Sequence, residues 1–252
     1  MQSVNQIIAL LFTLSLFFCA AFVHSQTVQP LENNHSTLAA VKQKLFDLLG
    51  ENTQFSVEPY NNELRLVTTQ NHTFFASPDG KYLYLGQVID TESKIDLTEL
   101  VKQQQRVTLI KTLPREALLS YQASNEQHVI TIFTDIDCPF CRKLHGKIEE
   151  LNRQGVTIDY VMIPRGKVGS SAFEKTAAAL CARNPQEAMN QAMQVGHYQG
   201  NVTNVCENSL VTQQQLAQRF GFSATPTILL QNGEAISGLI KTDELLQRLA
   251  DI

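Results

Sequence analysis

The most informative part of this 252-residue chain is segment 128–145, which reads HVITIFTDIDCPFCRKLH. Its first residues are largely β-branched or apolar on both faces of an extended chain, which indicates a strand in the middle of a sheet. Cys138 and Cys141 follow directly, and Leu144 and Ile148 then recur at helical spacing. The segment therefore predicts a buried strand, a turn that carries two cysteines, and a helix.

The flanking sequence completes an α/β domain. A second buried strand at 156–163 makes the cysteine segment part of a β-α-β unit, which favours parallel strands. The elements that follow are helices beginning near Ser171, near Pro185 and at 209–220, strands at 227–230 and 234–237, and a helix from about Thr242. The order β-α-β, inserted helices, β-β-α matches the thioredoxin fold.

A smaller α+β unit precedes this domain. Leu38, Val41 and Leu45 recur at helical spacing, and short strand-like runs follow at 54–57, 63–69, 72–76 and 81–86. About sixty residues bury only a thin core, so oligomerisation is a natural way to stabilise the unit. The polar stretch 91–108 has too little apolar periodicity for a core, and it predicts a solvated linker helix.

The first residues predict export. Residues 1–25 contain no charged side chain, are almost entirely apolar from 7 to 23, and end in a stretch suited to signal peptidase. We predict a signal peptide cleaved after Ser25. An uncleaved anchor is the alternative, because the apolar stretch approaches the length of a membrane span. Lipidation of Cys19 ranks lower, because Phe18 stands where a small residue is needed.

These features divide the chain into four parts. We predict a signal peptide at 1–25, an N-terminal α+β dimerisation domain at 26–90, a linker helix at 91–108 and a thioredoxin-like domain at 109–252. The net charge of −4 argues against a nucleic-acid partner, which usually leaves a basic footprint on the protein.

Removal of the signal peptide leaves four cysteines. An even number in an exported protein indicates disulfides, and we expect Cys181 and Cys206 to form a structural one. A loop of this length contributes roughly 3–4 kcal/mol in the chain-entropy model. A second redox pair is the alternative, which is less favoured because neither residue follows a strand. A zinc site of all four cysteines lacks the usual ligand spacing, so we assign no metal ligand.

Cys138 and Cys141 are the candidate catalytic residues. A helix that begins with Pro139 places Cys138 at its N-cap, where free backbone N–H groups and the helix dipole stabilise a thiolate and lower its pKa. We assign Cys138 as the nucleophile and Cys141 as the less exposed resolving thiol, with no cofactor. An inert disulfide between them is the alternative. His145 is either a proton-transfer partner or part of a solvated helix face.

Nearby charges act in opposite directions on this thiolate. Arg142 and Lys143 favour the ionised form of Cys138, whereas Asp135 and Asp137 oppose it. The sequence alone leaves that balance open.

The dipeptide Thr225-Pro226 is the second part of the candidate site. In a thioredoxin fold the proline before this strand is cis and faces the cysteines, so that an extended substrate pairs with the backbone of Thr225. The alternative is an ordinary proline at the start of a strand. We assign substrate contacts to Thr225, Pro226, Pro139 and Phe140.

Segment 128–145, the run FSATP at 222–226 and the pair Cys181/Cys206 together resemble the periplasmic disulfide isomerases of the DsbC/DsbG family. The resemblance covers essentially the whole mature chain, and before about residue 105 it is architectural. It implies a V-shaped homodimer held by the N-terminal domains, with an inserted helical subdomain in each thioredoxin domain. It also implies a periplasmic location, a broad uncharged cleft for misfolded exported proteins, and a membrane reductase of the DsbD type as electron donor.

The resemblance implies isomerisation or reduction of incorrect disulfides through Cys138 and Cys141. The intervening dipeptide, Pro139-Phe140, departs from the Gly-Tyr or Pro-Tyr of the family, and this dipeptide influences redox poise. Two alternatives therefore remain: a dithiol oxidase that introduces disulfides, and a holdase-type chaperone whose redox site is incidental.

Overall fold

The structure is a computed structural model that describes residues 33–50, 52–70 and 72–252. The predicted signal peptide at 1–25, with both of its alternatives, lies outside the described residues. Within the described ranges, none of the helices combines the length and the apolar character that crossing a bilayer requires.

The N-terminal part consists of one helix and one antiparallel sheet. Helix α1 (Asn33–Leu49) is followed by β1 (Phe55–Pro59), β2 (Arg65–Thr69), β3 (Thr73–Ala76) and β4 (Leu83–Tyr84), which are hydrogen-bonded in that order. Helix α1 covers the sheet with Val41 and Leu45, which pack against Val57, Val67 and Phe74. The four strand-like runs in the sequence are thus all present, with their ends shifted by a few residues.

The helix predicted to begin at residue 91 begins later in the structure, after a short hairpin. Strands β5 (Ile89–Asp90) and β6 (Ile95–Asp96) form a hairpin, and helix α2 occupies Leu97–Ile110. The helix begins there because the carboxylate of Asp96 accepts a hydrogen bond from the backbone N–H of Glu99 at 3.0 Å. The prediction missed this cap and the short hairpin before it.

Helix α2 is also less solvated than its polar sequence suggested. Val101 and Arg106 are buried, at 4% and 7% exposure. The side-chain amide of Gln103 donates to the carbonyl of Asn232 at 3.1 Å, and the Arg106 guanidinium lies 5.1 Å from the centre of the Phe222 ring. The helix therefore packs on the C-terminal domain through these polar contacts as well as through Leu109 and Ile110, and hydrophobic periodicity does not report the polar part.

The C-terminal domain is built on a five-stranded sheet. Its strands are β7 (Leu119–Tyr121), β8 (His128–Thr134), β9 (Val156–Met162), β10 (Thr227–Leu229) and β11 (Ala235–Ser237), in the order β11-β10-β8-β9-β7. Strands β8 and β9 are parallel and the remaining pairs are antiparallel. The thioredoxin arrangement predicted from the sequence is thus present, with β7 as an additional edge strand that the prediction missed.

Helices cover both faces of this sheet and form the insertion. They are α3 (Pro139–His145), α4 (Ile148–Arg153), α5 (Ser171–Leu180), α6 (Pro185–Val195), α7 (Asn204–Arg219) and α8 (Thr242–Ala250). The helix predicted after the cysteines is two helices, because the chain breaks its helical path at Gly146 and Lys147. Helix α7 begins earlier than predicted and includes Cys206, which forms a disulfide with Cys181 at the end of α5.

The contact between α2 and the β10–β11 turn predicts a specific sensitivity at Gly233. A Cβ atom there would lie 2.2 Å from the carbonyl oxygen of Gln103, whereas a Cβ at Gly238 would meet nothing within 4 Å. Both glycines have positive φ, +85° and +87°, so the two alanine variants carry the same backbone strain. We expect Gly238→Ala to lower the free energy of unfolding by about 1 kcal/mol.

Gly233→Ala should lower the free energy of unfolding by about 2 kcal/mol or more, because α2 must also shift. Urea denaturation of both variants measures the difference. Equal losses would show that α2 does not rest on this turn.

Candidate active site

Cys138 occupies the N-cap of helix α3, as predicted. Its backbone is extended, with φ −84° and ψ 116°, and Pro139 begins the helix. The backbone N–H of Cys141 donates to the Cys138 sulfur at 3.4 Å. Because the first N–H groups of a helix have no partner within it, they are available to stabilise negative charge on this sulfur.

Both cysteines are free thiols that lie just below the surface. Cys138 is 2% exposed and Cys141 is 1% exposed, so Cys138 is more covered than its expected role as an accessible nucleophile suggested. The cover comes from the loop before β10, where the Thr225–Pro226 peptide bond is cis. The Cys138 thiol donates to the Thr225 carbonyl oxygen at 3.3 Å.

The two thiols differ in acidity. Burial opposes ionisation of Cys138, but hydrogen bonds from the side chains of Cys141 and Thr225 and from nearby backbone N–H groups outweigh it and lower the pKa of Cys138. Burial dominates at Cys141 and raises the pKa of that thiol well above its ordinary value. The geometry thus favours a thiolate on Cys138 and a protonated thiol on Cys141.

The residues between the cysteines form the exposed rim of the site. Pro139 is exposed and Phe140 is 54% exposed, so both are available to a substrate chain that approaches Cys138. Both side chains are apolar and are therefore suited to contact with apolar groups.

Asp135 and Asp137 both have cationic partners. From the sequence alone, these two carboxylates are expected to oppose ionisation of Cys138. The buried Asp135 carboxylate lies 3.3 Å from the Arg165 guanidinium, and its other oxygen accepts from the backbone N–H of Asp137 at 3.0 Å. Asp137 forms an ion pair with Lys175. Burial nevertheless raises the pKa of Asp135. Sequence reasoning missed both cations, because each lies on a distant segment that only the fold brings to the site.

His145 is half-buried and belongs to a polar network, which contradicts the alternative of a solvated helix face. Its Nδ1 atom lies 2.9 Å from the hydroxyl of Tyr160, and its ring packs edge-on against Tyr121. The Tyr121 hydroxyl in turn donates to the side-chain carbonyl of Asn190 at 3.0 Å. Burial lowers the pKa of His145 to about 4, so the imidazole is neutral at neutral pH.

This network predicts a pH dependence of stability. The pKa of His145 is about 4 in the folded protein and near 6.5 when unfolded, so only the unfolded state binds a proton between these values. Stability therefore falls as the pH decreases through this window, by about 2–3 kcal/mol from His145 alone. Urea denaturation at several pH values should show a shallower decline for His145→Gln. Parallel curves for the two proteins would contradict the assignment.

Family models match two parts of the chain. Residues 32–99 match the disulfide bond isomerase N-terminal domain, and residues 114–252 match a thioredoxin-like domain. Several curated thiol:disulfide interchange proteins named DsbC are similar over most of their length. The protein from Pasteurella multocida is 32% identical over 74% of this chain and 80% of its own, and that from Salmonella typhimurium is 30% identical over 81% and 83%.

Similarity extends to a DsbG protein and to solved structures. DsbG from Pseudomonas aeruginosa is 23% identical over 66% of this chain and 68% of its own. A linker-deletion mutant of Proteus mirabilis ScsC has a TM-score of 0.53 at 17% identity, covering 64% of this chain and 88% of that one. This structural likeness supports the fold alone. With both domain models and the full-length relatives in agreement, the chain belongs to the DsbC family of thiol:disulfide interchange proteins.

Proposed function

We propose that the protein rearranges or reduces incorrect disulfides in exported proteins, with Cys138 as nucleophile and Cys141 as resolving thiol. The observation that carries this proposal is the position of the Cys138 sulfur at the N-terminus of α3, where hydrogen bonds lower its pKa. A lowered pKa supplies the thiolate that attacks a disulfide.

The exchange proceeds through a mixed disulfide. The Cys138 thiolate attacks one sulfur of the substrate disulfide, the Cys138–substrate bond forms, and the second substrate sulfur leaves as a thiolate. Another substrate thiolate then attacks the mixed disulfide, which creates a new pairing and regenerates the dithiol. This route moves no net electrons and is isomerisation.

Reduction follows the second route out of the mixed disulfide. Cys141 loses its proton and attacks the Cys138 sulfur, so the substrate leaves reduced and a Cys138–Cys141 disulfide remains. Two electrons must then come from an external dithiol, for which we propose a membrane reductase of the DsbD type. Burial raises the pKa of Cys141 in the dithiol, so this route requires that a thiol of low acidity first give up its proton.

Substrate binding involves the loop that covers Cys138. We propose that the backbone of Thr225, with Pro226 beside it, pairs with an extended substrate segment, because the Thr225 carbonyl lies 3.3 Å from the attacking sulfur. Pro139 and Phe140 contact the apolar side chains of that segment. Cys181 and Cys206 take no part in exchange, since their disulfide ties α5 to α7.

Cysteine variants test the proposal. Cys138→Ala should abolish recovery of activity from a scrambled multi-disulfide substrate, because no thiolate attacks. Cys141→Ala should accumulate mixed disulfides with the substrate, seen on non-reducing gels, because the resolving step is lost. No recovery by the wild-type protein, equal to that of Cys138→Ala, would refute the proposal.

The wild type and its cysteine variants also test the two alternative functions, a dithiol oxidase and a holdase-type chaperone. A reduction potential of about −120 mV, with the Cys138–Cys141 pair mostly oxidised in cells, would indicate an oxidase. Suppression of aggregation that is unchanged in the double cysteine variant, without disulfide recovery by the wild type, would indicate a holdase.

We further propose that the protein is a periplasmic homodimer joined through its N-terminal part, after removal of residues 1–25. Several exposed apolar side chains in and around the edge strand β4 and on the β5–β6 hairpin support this: Tyr82, Tyr84, Leu85, Ile89 and Ile95, with exposures of 38–76%. A surface of this kind is typical of an interface. The N-terminal family model and the exposed edge of the sheet point to the same region.

Leu85→Asp should produce a monomer in light scattering at micromolar concentration, because a charge is costly in an apolar interface. Val205→Asp in helix α7 is the matched control, since Val205 is 77% exposed and Leu85 is 76% exposed. A wild-type monomer, or a Leu85→Asp dimer as stable as the control, would contradict this assignment.

A further inference from the structure

Lys175 occupies an unusual position for a lysine. It lies on α5, in the inserted helical segment, and its side chain is only 12% exposed. Its ammonium group forms an ion pair with the Asp137 carboxylate and donates to the carbonyl oxygen of Gly196 at 3.1 Å. Gly196 is the residue at which α6 ends, where unpaired carbonyls favour a cation. Lys175 is thus held between the end of α6 and the residue before Cys138.

Asp137 matters because of its position in the chain. It directly precedes Cys138, and its side chain is 35% exposed, so its charge is only partly screened by water. A carboxylate beside the N-terminus of α3 opposes the field that stabilises the Cys138 thiolate. The cation of Lys175 cancels this unfavourable field while it stays paired with Asp137.

The cations next to the cysteines in the sequence have other partners. The Arg142 guanidinium donates to the carbonyl of Met193 at 3.0 Å and to that of Gln194 at 3.4 Å, near the end of α6. The Lys143 ammonium lies 5.7 Å from the centre of the Phe140 ring. Neither side chain forms an ion pair with Asp137 in the described structure.

The remaining charged groups around the site are balanced or neutral. Arg165 lies 3.3 Å from Asp135, and Lys175 also contributes positive charge to that carboxylate, although burial still raises its pKa. His145, behind the cysteines, is uncharged at neutral pH because burial lowers its pKa to about 4. Lys175 is therefore the side chain that neutralises the charge of Asp137.

We propose that Lys175 is a positioning residue of the exchange reaction, which holds Asp137 in a neutral pair beside Cys138 and so sets how readily the Cys138 thiol ionises. The proposal rests on the proposed function of Cys138 as the attacking thiol. In this proposal the inserted helices influence ionisation of Cys138, because α5 carries Lys175 and the end of α6 holds its ammonium group in place.

The test compares Lys175→Met, Asp137→Asn and the double variant with the wild type. The first readout is the pKa of Cys138, from the ultraviolet absorbance of the thiolate as the pH is raised. Lys175→Met should raise this pKa by about 0.5–1 unit, because Asp137 is left uncompensated. Asp137→Asn should lower it, and the double variant should return close to the wild type.

The second readout is the equilibrium in which the protein dithiol and oxidised glutathione give the protein disulfide and two reduced glutathiones. It is measured above the wild-type pKa of Cys138, where the reduced protein is ionised. Lys175→Met should shift this equilibrium about three- to tenfold towards the protein disulfide, because its thiolate is less stable. Asp137→Asn should shift it in the opposite direction.

Controls separate charge from structure. Lys44→Met removes the same charge from an exposed lysine of α1, whose ammonium contacts the carbonyl of Asp79 at 2.8 Å, and should leave both readouts unchanged. Lys175→Arg should retain wild-type values, and thermal denaturation shows whether each variant is folded. Shifts of the same sign in Lys175→Met and Asp137→Asn, or no shift in either folded variant, would overturn the inference.

The design also distinguishes this inference from the proposed function. If the wild-type dithiol does not exchange with glutathione, the result contradicts both the proposed function and the role of Lys175. A wild-type dithiol that exchanges normally, with variants that match it, overturns the role of Lys175 alone.

Discussion

The rest of the site depends on the contact between the Cys138 sulfur and the first turn of helix α3. Helix α3 begins at Pro139, after a short turn that follows the end of β8 at Thr134, and this turn places Cys138 at the N-terminus of the helix. The N–H of Cys141 reaches the Cys138 sulfur at 3.4 Å. The Thr225 carbonyl oxygen also lies 3.3 Å from this sulfur. The sulfur is thus close both to groups that bind its charged form and to a loop suited to holding a substrate.

A thiolate in a covered site requires compensation of the charges around it. The carboxylates of Asp135 and Asp137 lie next to Cys138, where their unfavourable effect would be strongest in a medium of low dielectric constant. The fold supplies Arg165 from the segment after β9 and Lys175 from α5. The insertion therefore does more than enlarge the domain. It carries one of these cations, and its disulfide between Cys181 and Cys206 fixes the helix from which that cation extends.

The sequence predicted those features that depend on local pattern. The strand–cysteine–helix segment, the order of the central strands and the helix start at Pro139 follow from periodicity and capping, and the structure contains them. Features that depend on tertiary contact were missed. Edge strand β7 is only three residues long, and helix α2 owes part of its packing to polar side chains, with Arg106 buried and Gln103 bonded to the carbonyl of Asn232. The sequence left two alternatives for His145 because its partner, Tyr160, lies on β9.

The difference in acidity between the two thiols bears on which reaction prevails. Isomerisation requires that a mixed disulfide survive until a second substrate thiol attacks it, whereas reduction requires prompt attack by Cys141. Burial raises the pKa of Cys141, so few molecules carry the resolving thiolate at any moment. Burial lowers the pKa of His145 to about 4, so its imidazole is a weak base for the Cys141 proton. The attacking thiol is therefore the one that ionises in the dithiol, and the acidity of Cys141 within the mixed disulfide sets how long that intermediate survives.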